Sequence, residues 1–149
     1  MKVKLFLVAF MTCCALILAG CHNTKRDDSK MASLPQPIQK ILKQKYPDCI
    51  VDNYDKDAAG YEVDITDKNR PKEVMFGANN EWLRTKWEMK ANEVPPVIMD
   101  DLTNSDYKDY KIKEIDAIEN PSGTFYVFEL NYHNNDVHLT FNSKGQRIR

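Results

Sequence analysis

Tyr61-Glu62-Val63-Asp64-Ile65 returns 65 positions later as Tyr126-Val127-Phe128-Glu129-Leu130. In both stretches a tyrosine and two further apolar residues occupy one phase of a two-residue period, the pattern of a half-buried strand. Val74-Met75-Phe76 and Leu139-Thr140-Phe141 keep the same offset, whereas Leu34-Pro35-Gln36-Pro37-Ile38 is echoed by Val94-Pro95-Pro96-Val97-Ile98 at an offset of 60. An offset that grows by five and then holds implies extra residues in the second copy, and Thr103–Tyr110 is where they fit. The chain therefore reads as two related copies, 34–90 and 91–149.

Each copy opens with a helix. Ser33 stands as its N-cap and Pro35 in its first turn, where a missing N–H costs nothing. Ile38, Ile41, Leu42 and Tyr46 then form one apolar stripe, with Lys40, Lys43 and Lys45 off it, until Pro47 ends the helix. The second helix, Pro95 to about Asn104, has Asp101 in place of Ile41 and is expected to be shorter. Four strands follow in each copy: Ile50–Tyr54, Tyr61–Ile65, Glu73–Gly77 and Glu81–Met89, then Lys111–Ile118, Thr124–Tyr132, Asp136–Asn142 and Gln146–Arg149. Short turns force antiparallel neighbours. The predicted fold is α+β, a tandem αββββ repeat forming one antiparallel sheet with helices on one face.

A two-residue turn at Asn79-Asn80 would pair Phe76 with Leu83 and Gly77 with Trp82. Phe76 and Leu83 would then point to the core. Trp82, Arg84 and Lys86 would point to the uncovered face together with Met75, joined in the second copy by Phe125 and Val127. Trp and Arg on a face without helices make a candidate binding surface. The competing reading is that these side chains only cover their own sheet.

Outward from the repeats, the amino terminus reads as an address. Lys2 and Lys4 precede an apolar run from Leu5 to Ala19, too short to span a bilayer and suited to a signal peptide. It ends Leu18-Ala19-Gly20-Cys21, which resembles the bacterial lipobox, cut before a lipidated cysteine. That resemblance implies a signal peptide over 1–20, acyl chains such as palmitate on Cys21, and a membrane as first partner. Residues 21–33 are polar without apolar period and read as a flexible tether. Asp27-Asp28 in it fits a surface-export signal of Gram-negative lipoproteins or a plain solvated linker. Four cysteines look like two disulfides, but Cys13 and Cys14 leave with the signal, Cys21 carries lipid and Cys49 stands alone.

Leu34-Pro35 with Ile38 and Ile41, then Tyr61, Val63 and Ile65, then Val74, Phe76, Ala78, Asn79, Glu81, Trp82 and Leu83 resemble the PepSY-like, beta-lactamase-inhibitor-like family of small exported bacterial proteins. The resemblance implies the tandem αβ₄ fold and no catalytic residues. Asn80 stands where the family has Gly, and Asn tolerates the left-handed conformation. Gln146-Arg147 stands where the second copy would have Glu-Trp.

No residue set carries chemistry. A formal net charge of −1 argues against a nucleic-acid partner. His133 and His138 flank Asp136 but lack further ligands for zinc, and His22 lies in the tether. Cys49 reads as packing. Phosphate loops, HExxH and GxSxG are absent from the sequence, and the acids Asp100, Asp101, Asp106 and Asp109 read as solvated. No metal, cofactor or enzyme activity is expected. The chain is expected to be an outer-membrane-anchored lipoprotein of a Gram-negative envelope, periplasmic or surface-exposed, that binds a protein or peptide on the open sheet face. The alternatives are a small-ligand carrier with a cavity of about 300 Å³ or more between sheet and helices, or an inhibitor of an envelope peptidase.

Overall fold

The computed structural model describes residues 28–148. Cys21, His22, Asp27 and the 1–20 segment lie outside the described residues. Seven antiparallel strands run in sequence order across one sheet: β1 (Ile50–Lys56), β2 (Gly60–Asp67), β3 (Arg70–Gly77), β4 (Trp82–Glu88), β5 (Lys111–Asn120), β6 (Gly123–Tyr132) and β7 (Asn135–Asn142). α2 (Gln36–Lys45) and α3 (Pro96–Thr103) cover one face, preceded by a short α1 (Ser29–Ser33).

The repeat is visible in the backbone. Lys68-Asn69 and His133-Asn134 form equivalent two-residue turns with positive φ at both positions, the twist that hairpins favour. The first strand of each copy carries a bulge, at Asp52 and at Lys113. Each copy also fills its own core. Ile38 and Leu42 of α2 close over Val63, Ile65, Val74 and Phe76, while Ile98 and Leu102 of α3 close over Ile115, Phe128, Leu130, Leu139 and Phe141. Most of these side chains are wholly excluded from solvent, so side chains occupy the space that the carrier reading needs for a ligand.

Between the cores lies a polar seam on the helix side of β4 and β5. Thr85, fully buried, receives the indole N–H of Trp82 at 3.0 Å and contacts the Tyr46 hydroxyl at 2.8 Å. Tyr46 Oη also lies 3.4 Å from Glu119 Oε2, and Glu119 Oε1 accepts from Lys45 at 2.9 Å. Lys45 Nζ closes the ring 3.7 Å above the Trp82 ring. Burial drives the Tyr46 hydroxyl up to about 12, with the Thr85 bond opposing and the Glu119 charge adding. Beside the ring, Lys72 binds Asp67 at 2.8 Å and sits over the rings of both Tyr46 and Trp87.

Four expectations change. First, Trp82 is on the helix side, because the β3–β4 loop has three residues, not two. Gly77 N–H bonds Glu81 O at 2.9 Å and only Asn80 has positive φ, a type I turn closed by a left-handed residue. The extra loop residue places Trp82 opposite Phe76, and a bulge at Leu83 then restores Met75 opposite Arg84. Leu83, expected in the core, is instead exposed. Second, Gln146–Arg149 is no strand. A single bridge joins Arg147 to Phe141, and the Arg147 side chain turns to Asp101 at 2.8 Å; Arg149 lies outside the described residues. Third, Ser29–Ser33, read in the sequence as part of a flexible tether, is helical. α1 docks, with Met31 in the first core and Lys30 bonded to the Asp52 carbonyl. Fourth, Ser33 caps nothing on α2. Its hydroxyl donates to Lys30 O at 2.7 Å, and Pro35 takes the N-cap position.

The two loop readings make opposite predictions. Trp82→Ala should lower stability by about 2–3 kcal/mol, through lost packing and the loss of one of the two hydrogen bonds to Thr85. Leu83→Ala should stay within about 0.5 kcal/mol. Chemical denaturation of both variants checks the register.

Candidate functional site

The face opposite the helices has no element over it among the described residues. Strand register determines what it displays. One row runs Asp64–Glu73–Lys86–Ile118–Phe125–Asn142, each residue directly opposite the next on the adjacent strand. A second runs Glu88–Asp116–Val127–Thr140, a third Glu62–Met75–Arg84. Of the sequence-predicted residues, Met75, Arg84, Lys86, Phe125 and Val127 share this face, and all five are half-buried. Trp82 does not belong with them. Cys21 lies outside the described residues.

Chemistry changes across the face. Over β1–β3 it is acidic, with Asp55, Glu62, Asp64 and Glu73. Over β4 Arg84 and Lys86 precede Glu88, and over β5–β6 Ile118, Phe125 and Val127 form an apolar patch flanked by Asp116. Ile118 was missed in the sequence because Phe125 and Val127 were placed through the repeat alone. Its phase relative to Ile115 and Ala117 would have revealed it.

Both bases are engaged. Arg84 binds Glu73 at 2.9 Å while its Nε–H points to Met75 Sδ at 3.1 Å. Lys86 binds Asp116 at 2.9 Å, and that bond holds its ammonium above the usual lysine range. The acids without such partners respond differently. The Glu73 charge raises the Glu62 carboxyl above its ordinary value, with burial and Asp64 adding. Burial first, then Glu73 and Asp52, raise Asp64. A concavity of about 610 Å³ lies over this part of the sheet, lined by the acids Asp64, Glu73, Glu88, Glu114 and Asp116 among others and by the bases Arg70, Lys72, Lys86 and Lys90.

The histidines part company. His138 is exposed opposite Glu129 on the open face, whereas His133 occupies the β6–β7 turn with its ring 4.2 Å from that of Tyr132. Among the described residues no His, Cys, Asp or Glu cluster has a metal-holding arrangement. Cys49 is buried in the first core.

A carboxyl whose folded pKa is raised contributes stability in full below its unfolded pKa, and that contribution is lost as pH rises through the folded value. Asp64→Asn should therefore raise the melting temperature by about 1–3 °C at pH 7 and low salt. The gain should vanish near pH 3, as scanning calorimetry at both pH values can check.

The family model described as "Putative beta-lactamase-inhibitor-like, PepSY-like" matches residues 22–70 and 59–149. A BLIP-like protein from Bacteroides fragilis superposes with a TM-score of 0.70 at 28% identity, covering 82% of this chain and 89% of its own. A structure from Bacteroides eggerthii, given as "putative periplasmic proteins", superposes at 0.66 with 21% identity, covering 77% and 86%. A DUF2874 family protein from Bacteroides uniformis does so at 0.68 with 21% identity, covering 78% and 87%. No curated protein sequence matches.

Proposed function

The chain belongs to the PepSY-like, beta-lactamase-inhibitor-like family, and from that premise we propose that it is a lipid-anchored envelope protein that binds a protein or peptide on the open face of its sheet. The observation that carries this reading is the Ile118–Phe125–Val127 patch, half-buried on a face with no helix over it and adjoining Arg84 and Lys86. A sheet needs only one covered face to be stable. Apolar side chains gathered on the other therefore call for a different explanation, and a partner surface supplies one. The packed cores favour this face over a small-molecule chamber. The inhibitor-like family description is consistent with a protein partner, an envelope peptidase among the candidates. Met75, Arg84, Lys86, Phe125 and Val127 make up the proposed surface.

Envelope location is supported by the signal-like amino terminus and by the periplasmic description of the Bacteroides eggerthii relative. The lipobox-like Leu18-Ala19-Gly20-Cys21 supports attachment through lipid on Cys21, and no helix among the described residues is long and apolar enough to cross a membrane.

Photo-crosslinking residues placed at Phe125 and Val127 should trap a discrete protein adduct in cells, whereas the same group at Lys40 on the outer side of α2 should not. Equal adducts from all three sites, or none, would remove the open face as the binding surface. Separately, Cys21→Ser should abolish palmitate labelling and move the protein from the membrane to the soluble fraction. Unchanged labelling would end the lipid assignment.

A further inference from the structure

We infer that the partner's contacting segment is cationic, carrying two or more Lys or Arg side chains beside an apolar or aromatic residue. This rests on the open-face reading above and adds the chemistry of what that face takes. The face is built against its own stability. Four pairs of acids stand directly opposite each other across neighbouring strands: Asp55–Glu62, Asp64–Glu73, Glu88–Asp116 and Glu114–Glu129. Like charges directly opposite on a sheet are destabilising.

The face's own bases neutralise only part of this. Arg84 takes Glu73, Lys86 takes Asp116, and Lys113 spans Glu129 and Asp136. Asp55, Glu62, Asp64, Glu88 and Glu114 form no ion pair among the described residues. The carboxyls of Glu62 and Asp64 are raised. Asp116 Oδ1 is buried without a hydrogen-bond donor.

The acid excess is a matter of placement. The chain is close to neutral overall, while α2 on the other side carries Lys40, Lys43 and Lys45 and no acid. In the first copy charge is thus sorted between the two faces, whereas α3 of the second carries Asp100 and Asp101 and no base. A cationic segment lying in the concavity would relieve the facing carboxylates, and the patch of Ile118, Phe125 and Val127 alongside would take its apolar residue.

The test uses the full-length protein in neutral detergent and two fluorescent ten-residue peptides. They share a Trp-Leu pair and differ only in carrying three lysines or three glutamates. By fluorescence anisotropy the lysine peptide should bind at least about tenfold more tightly, and more weakly as salt rises. Glu62→Gln combined with Asp64→Asn should weaken it by about 2–10-fold. Val127→Lys should abolish it, with Phe125→Ser as a second disruption and thermal melts confirming that each variant folds.

Equal binding of both peptides, lost in Val127→Lys, would overturn the cationic inference and leave the open-face reading standing. Lysine-peptide binding indifferent to all three variants would place the contact elsewhere and overturn both. Binding of neither peptide would overturn the cationic inference. Self-association of the protein, abolished by Lys40→Gln with Lys43→Gln, would uphold it, with a second copy's α2 as the cationic segment.

Discussion

The pairing of β4 with β5 makes two repeats one molecule, and the ring of contacts from Trp82 through Thr85, Tyr46 and Lys45 fastens that junction to Glu119 of the second copy. Each copy buries its own apolar cluster, and a unit of that size is marginal alone. The copies meet through β4 and β5, whose register pairs only Thr85–Glu88 with Asp116–Glu119. Small, fully buried Thr85 and Ala117 let the backbones and the flanking rings approach there. A polar junction fixes orientation as well as contact, because each donor in it accepts few alternatives. The helices thereby stay on one side and the opposite face stays open.

That division assigns different tasks to the two sides. The helix side holds the apolar interior and sets Lys45, Lys72 and Arg147 against rings and carboxylates. The open side carries acids that gain little from one another and apolar side chains that no helix covers. Native sheets usually blunt such features. Here several of the acids line one concavity, and the apolar patch of Ile118, Phe125 and Val127 lies on the same face outside its lining.

Much of this was legible in the sequence. The offset of 65 between Tyr61 and Tyr126 carried the strand phases correctly, and the stripe Ile38, Leu42, Tyr46 marked the buried face of α2 without knowledge of the sheet. What escaped depended on single residues of backbone count. Asn79-Asn80 reads equally well as a two-residue turn or as part of a three-residue one, and the choice moves Trp82 through the sheet. The compensating bulge at Leu83 leaves no compositional mark, so Arg84 and Lys86 were placed correctly by a register that was wrong two residues earlier. α1 escaped because one buried residue, Met31, makes no period. The facing acids of β1–β3 were readable individually, but their direct opposition exists only once the register is known.

The cation over the Trp82 ring has a counterpart with its parts exchanged. In the first copy the helix supplies the cation, Lys45, and the strand supplies the ring. The position equivalent to Trp82 in the second copy is Arg147, whose guanidinium lies 5.3 Å from the ring of Tyr107, just beyond α3. The second copy has thus kept a kind of contact while losing the residue that made it. In both copies a cation against a ring therefore fastens the position after the last hairpin to the end of the covering helix, whichever element supplies the charge.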